Sequence, residues 1–386
     1  MNVKVNQNMN GLKPSASIAM MDKARMLKAQ GVNVISMAGG EPDFDTPAPI
    51  QEACFKAIRD GRTHYTMGRG IVPLRERICR KLQEENGISC TPDNVLVTPG
   101  GKYAILLAVN TFVNPGDEVM ILDPSWVSYA PIAVMCGGVP VNVPLSFEDN
   151  YTIRRETLEA YVTPKTKILI LNSPNNPTGR VMTKEEADEI AAFLADHDIL
   201  LISDEVYEKI IFDGRKHISL GSYPEIADKV ITVNSFSKSV AMTGWRVGYL
   251  CAEKSLVNAI YLYYQHALSC ISEFSQIAAI TALDCTEEME LMRQSYERRR
   301  ALLCDALADI PGVNCLKPEG AFYAWAKIEK DGMDDVQISE YLLDKARVVT
   351  VAGSGYGLGS ECCVRMCFAI SDEEIIEATK RLHAVL

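Results

Sequence analysis

Val230-Ile231-Thr232-Val233-Asn234-Ser235-Phe236-Ser237-Lys238 is the stretch from which the rest of the chain can be read, with Arg246 eight residues beyond its end. The β-branched run at its start reads as a strand buried on both faces. An amine at the end of such a strand, between hydroxyls and ahead of a fixed cation, is chemistry that an ordinary solvated lysine does not need. Outward from it, similar short runs recur at Val95 to Val97, Val119 to Leu122, Lys167 to Leu171, Ile199 to Ser203 and Val247 to Cys251. Helical stretches alternate with them. Thr183-x-x-Glu186 forms a capping box, and Ala187, Ile190, Ala191 and Leu194 then follow one apolar helix face. The pattern predicts an α/β fold: a large domain with a mostly parallel sheet covered by helices. After about residue 285 a charged helix (Thr286 to Leu307), Pro311-Gly312, short strands at Phe322 to Ala326, Val348 to Val351 and Val364 to Phe368, and a C-terminal helix predict a smaller α+β domain. The expected division is 1–47 as an N-terminal segment packing with the small domain, 48–285 as the large domain and 286–386 as the small one.

The 386 residues suffice for a large core, and 47% apolar with 23% charged residues is an ordinary globular composition. A formal net charge of -11 disfavours phosphate backbones and anionic membrane surfaces, so no nucleic-acid or membrane partner is expected. Twelve cysteines without zinc-type spacing read as reduced thiols, and His64, His197, His217, His266 and His383 stand apart in sequence, so no metal is expected. Met1 to Lys13 is polar and no run reaches membrane-spanning length; the expected location is the cytoplasm.

Several chemistries can be set aside. Ser235-x-x-Lys238 matches the S-x-x-K of penicillin-binding enzymes, but their S-D-N and K-T-G strings do not occur, and no serine stands in G-x-S-x-G. Thr98-Pro99-Gly100-Gly101-Lys102 is not a Walker A loop, and Gly353-Ser354-Gly355-Tyr356-Gly357 does not fit G-x-G-x-x-G. The first of these segments joins a strand to a helix start, an arrangement that points free N–H groups at an anion. Asp204 follows the run ending at Ser203, where open α/β sheets place ligand chemistry, with Tyr207 three residues on. Asn172-Ser173-Pro174-Asn175-Asn176-Pro177-Thr178-Gly179 is a rigid turn presenting amides at a strand end.

In their order and spacing these pieces resemble the pyridoxal-phosphate-dependent class I aminotransferases of fold type I, most of all the bacterial aspartate aminotransferase branch. The resemblance runs from Lys13-Pro14-Ser15 and Ala38-Gly39-Gly40-Glu41-Pro42-Asp43-Phe44 through Asn-Asn-Pro-Thr-Gly, Ser-Phe-Ser-Lys and Thr243-Gly244-Trp245-Arg246-Val247-Gly248-Tyr249 to Val364-Arg365. It implies that Lys238 forms the Schiff base with the cofactor aldehyde and then shuttles a proton, and that Asp204 pairs with the pyridine nitrogen. Asn176 and Tyr207 are implied to hydrogen-bond the ring oxygen, and Trp126 to stack on the ring. Gly101, Lys102, Ser235, Ser237 and Arg246 are implied phosphate ligands, joined by Tyr65 from the neighbouring subunit of a homodimer with active sites at its interface. Arg365 and Gly40 would receive the substrate α-carboxylate, and Lys102 and Ser17 a second carboxylate. Threonine is commoner than Ser17 at its position, a small residue than Arg69, and phenylalanine than Tyr356.

The expected activity is transfer of an amino group from aspartate or glutamate to a 2-oxo acid by a ping-pong mechanism. Aromatic amino acids or prephenate are the alternative partners, and a C–S β-lyase is the alternative reaction on the same scaffold. A regulator with an aminotransferase-like sensor would need a helix-turn-helix domain and a basic face, neither of which the sequence provides.

Overall fold

A computed structural model describes residues 4–10 and 12–386. After the two-residue β1 (Ile35–Ser36), seven strands form the main sheet: β2 (Val95–Thr98), β3 (Glu118–Asp123), β4 (Val139–Pro144), β5 (Thr166–Asn172), β6 (Leu200–Asp204), β7 (Val230–Ser235) and β8 (Gly248–Cys251). Their spatial order is β2-β8-β7-β6-β5-β3-β4, with β8 antiparallel to both neighbours and every other pairing parallel. Side chains alternate across the sheet, as a period of two requires. Ile168 and Ile170 of β5 join one core, with the Gly101–Phe112 and Lys254–Ala267 helices, whereas Leu169 and Leu171 join another beneath the Lys184–Asp196 helix. That last helix starts where its capping box predicts: the Thr183 hydroxyl accepts from Glu186 N–H, and the Glu186 carboxylate accepts from Thr183 N–H at 2.8 Å.

A second, four-stranded antiparallel sheet contains β9 (Val313–Leu316), β10 (Tyr323–Ile328), β12 (Val351–Ala352) and β13 (Cys363–Cys367), in the order β12-β13-β10-β9. Residues 348–349 form β11, which pairs with β1, so the apolar run Val348 to Val351 is cut at Thr350 and serves two sheets. Tyr323 lies opposite Cys367 and Trp325 opposite Arg365, which places Tyr323 and Arg365 near one another at one end of this sheet. Three strands are absent from the sequence expectation, the two-residue β1 and the longer β4 and β9. The latter two are sheet edges with half-buried residues, and Pro140 and Pro144 further weaken the pattern of β4.

The parallel strands deliver their carboxyl ends to one place. Asn172 pairs with Asp204, Asp204 with Val233, and β7 ends at Ser235. On the other side of the reversed strand, Gly248 pairs with both Thr98 and Ser235. The turn after β2, the turn after β7 and the approach to β8 are therefore neighbours.

Candidate active site

Lys238 opens into a cavity of about 450 Å³ lined by Ser17, Gly40, Gly101, Lys102, Trp126, Asn176, Asp204, Tyr207, Ser235, Ser237, Arg246 and Arg365. Every site residue expected from sequence is thus at one cavity except Tyr65, which is 87% exposed on the protein surface. The Lys238 ammonium donates to the Gly40 carbonyl and lies 5.8 Å from the Phe322 ring centre. Burial pulls its pKa down to about 8, because the charged form loses water.

Asp204 sits at the last position of β6, its backbone carbonyl accepting from the Asn172 side chain at 2.8 Å. Its carboxylate accepts a 2.6 Å hydrogen bond from the Tyr129 hydroxyl. Burial pushes the carboxyl up to about 6, against the pull of that hydrogen bond. Asn176 accepts from Arg365 at 3.1 Å through its side-chain oxygen, which leaves its NH₂ free to donate. The hydroxyls of Tyr207 and Tyr323 are 2.9 Å apart, and burial raises the Tyr207 phenol.

Gly100 precedes the Gly101–Phe112 helix with φ of 83°, and a Cβ there would come within 2.6 Å of the Arg246 guanidinium. Only a glycine lets cation and helix start approach this closely. Arg246 itself has φ of 56°, and its guanidinium donates to the carbonyls of Thr243 and Pro99. Ser235 and Ser237 share a 2.8 Å hydroxyl–hydroxyl bond beside it in the fold. Gly248 carries no side chain for a related reason: a Cβ would lie 2.8–2.9 Å from the Gly100 backbone. Lys102 stands 4.9 Å from the Trp126 ring centre, its pKa lowered by burial and by the Arg246 charge.

Arg365 is buried against the faces of Tyr323 and Tyr356, at 4.3 and 5.2 Å, and donates to the Ala38 and Gly39 carbonyls at 2.8 Å each. Its Nε is buried without a partner. Lys102, Lys238, Arg246 and Arg365 thus place four cations on one cavity whose lining holds two carboxylates, Asp204 and Glu41. Among the described residues none of the four forms an ion pair; those of Lys238, Arg246 and Arg365 donate to neutral oxygens instead. Arg365 is buried and Lys238 half-buried, while Lys102 and Arg246 reach solvent; a buried cation without a counter-ion is costly unless an anionic ligand supplies the balance.

The family model for class I and II aminotransferases matches residues 32–382. The chain belongs to that family. An aspartate aminotransferase from Musicola paradisiaca is 41% identical over 94% of this chain and 92% of its own length. An aromatic-amino-acid aminotransferase from Thermococcus litoralis is 41% identical over 93% of each. The structure of the Thermus thermophilus aspartate aminotransferase with maleate superposes with a TM-score of 0.95 at 37% identity, covering 100% of both chains. This aminotransferase accordingly depends on pyridoxal 5'-phosphate. Its residues fit that group: a glycine turn at a helix start with Arg246 and two hydroxyls suits a phosphate, and a buried carboxylate and a depressed lysine lie at the same cavity.

Sequence reasoning missed Tyr129 and Tyr323. Tyr129 opens the Tyr129–Met135 helix three residues beyond Trp126, and the two rings meet edge to face at 5.3 Å, so nearness in the chain was the one local signal. Tyr323 reaches Arg365 through the pairing of β10 with β13 and Tyr207 through a hydroxyl contact, across 42 and 116 residues, for which the sequence offers no local sign. His217, isolated in sequence, contacts Glu205 at 2.8 Å in a buried network with Glu208, Asn86 and Lys81, directly behind Asp204 and Tyr207 in the chain. Arg69 lies outside the cavity lining, over the Tyr261 ring at 4.8 Å and bonded to Asn258 at 2.5 Å.

Proposed function

We propose that this aminotransferase moves the amino group of an acidic L-amino acid, aspartate or glutamate, to a 2-oxo acid in a ping-pong cycle. The observation that carries the reading is the set of four cations without carboxylate partners: a dicarboxylic substrate and a phosphate supply the anions they lack. Support comes from the relatives named for aspartate and from the maleate, a dicarboxylate, in the Thermus structure.

When bound, pyridoxal phosphate supplies an electron sink for the pair left at the substrate Cα. Lys238 would hold the cofactor through its aldehyde, and its Nζ would take the proton from the substrate Cα; a pKa near 8 suits a base working close to neutrality. Asp204 would hold the protonated ring nitrogen, with Tyr129 keeping that carboxylate oriented. Asn176 and Tyr207 would donate to the ring oxygen, and Trp126 would pack against the ring. The Gly101 and Lys102 amides, Ser235, Ser237 and Arg246 would hold the phosphate, with Tyr65 of a partner subunit completing the set in a homodimer. Arg365 grips the α-carboxylate through its planar fork, Gly40 approaches it through its backbone, and Lys102 and Ser17 face the second carboxylate. Cytoplasm is the location this chemistry suits.

A second reading takes aromatic amino acids or prephenate as partners, favoured by Ile18, Met21 and Val127 on the cavity wall and by the aromatic-named Thermococcus relative. The test is direct: the purified holoenzyme, given aspartate and 2-oxoglutarate, should release oxaloacetate. Turnover of phenylalanine with none of aspartate would replace the first reading by the second. Pyruvate and ammonia formed from a cysteine conjugate without acceptor would instead show β-elimination.

A further inference from the structure

Ser17 and Tyr356 are 339 positions apart in the chain, yet their hydroxyl oxygens are 3.1 Å apart. Tyr356 is 1% exposed, its ring set edge to face against Trp325 at 5.5 Å and beneath the Arg365 guanidinium. Ser17 lines the substrate cavity from the first turn of the Ala16–Ala29 helix. Among the described residues Ser17 is the one hydrogen-bond partner of the Tyr356 hydroxyl. A buried phenol proton left without an acceptor is costly, whereas a serine proton at a cavity wall can always find water or ligand. The order of donors follows: Tyr356 donates to Ser17, and the Ser17 proton turns into the cavity.

Ser17 so arranged is a donor rather than an acceptor. The same helix begins at Ser15 without a side-chain cap, leaving first-turn N–H groups unsatisfied, and the Lys102 ammonium lines the same cavity. Hydroxyl, helix start and ammonium all favour an anion. We infer that Tyr356 is a positioning residue that holds Ser17 as a hydrogen-bond donor to the second carboxylate of the substrate; this rests on the acidic-substrate reading above.

The test compares holoenzyme with Tyr356→Phe, Ser17→Ala and the double variant, measuring kcat/KM for L-aspartate and L-phenylalanine with one acceptor. The aspartate-to-phenylalanine ratio should fall about three- to tenfold in Tyr356→Phe, as expected for loss of one oriented hydrogen bond to a charged group. Adding Tyr356→Phe to Ser17→Ala should lower it no further, because Tyr356 acts through Ser17. A purely structural Tyr356 would depress both substrates together. An unchanged ratio, or additive losses in the double variant, overturns the inference while leaving the substrate reading intact. No aspartate turnover by the unmodified enzyme overturns the substrate reading and the inference with it.

Discussion

Titrating the apoprotein should reveal Lys238 as the most nucleophilic lysine near neutral pH. Its ammonium is lowered from 10.5 to about 8 by burial, with no carboxylate in contact to restore it. The sign follows from the charge: removing water penalises the cation, so the proton leaves at lower pH than from an exposed lysine. At pH 7 a group of pKa 8 is neutral in roughly one molecule in eleven, against about one in three thousand for an ordinary lysine, a ratio of about 300. Competitive labelling with trace acetic anhydride, read peptide by peptide by mass spectrometry, measures this for every lysine in one sample. Labelling of Lys238 should rise about tenfold per pH unit up to pH 7, bend near pH 8 and level off above it, while surface lysines bend two or more units higher. A bend for Lys238 above pH 10 would refute the argument, since burial would then be offset by a partner that the geometry does not contain.

Asp204→Asn should loosen cofactor retention by about 100-fold, the scale of a lost charge-assisted buried hydrogen bond, measured by absorbance after dialysis; unchanged retention would contradict the ring-nitrogen role. Arg365→Lys should lower kcat/KM for amino donors by about 100-fold while bound-cofactor absorbance persists, because one ammonium cannot replace a two-pronged fork. Lys81→Met should destabilise the fold by about 3 kcal/mol by leaving the largely enclosed Glu208 without its salt-bridge partner, with the Asn86 hydrogen bond remaining. Burial alone would raise Glu208, but Lys81 and His217 hold it at about 2, so its contribution is present above pH 4.5 and lost as pH falls toward 2. The variant's thermal midpoint should therefore vary less with pH over that window, and parallel curves would count against the pairing. Mixed dimers of Tyr65→Ala and Lys238→Ala subunits should regain about a quarter of the activity, since half the dimers are mixed and each has one intact site; no recovery would exclude a contribution of Tyr65 across subunits.

The strands at the centre of the main sheet were legible because burial on both faces writes an uninterrupted apolar run, as at Lys167 to Leu171. The edges β4 and β9 were not, because an edge strand tolerates Pro140, Pro144 or Asn314 and loses that signal. Site residues on strand ends and glycine turns, such as Asp204, Gly101 and Lys238, were legible through position in a motif. Tyr129, Tyr323 and the Ser17–Tyr356 pair were not, because their roles exist only after distant segments have met. Likewise His217 gains meaning from Lys81, Asn86 and Glu205, which lie 136, 131 and 12 positions before it.

Gly248 is not among the residues lining the cavity, yet its missing side chain is what allows the Gly100 turn to lie flat against the start of β8. The tightness of anion capture is thereby tied to a steric allowance on a separate strand. In descendants of this chain, growth at position 248 would have to displace both the Gly100 turn and the Asn234 carbonyl of the neighbouring strand, so two backbone segments hold this position to glycine at once.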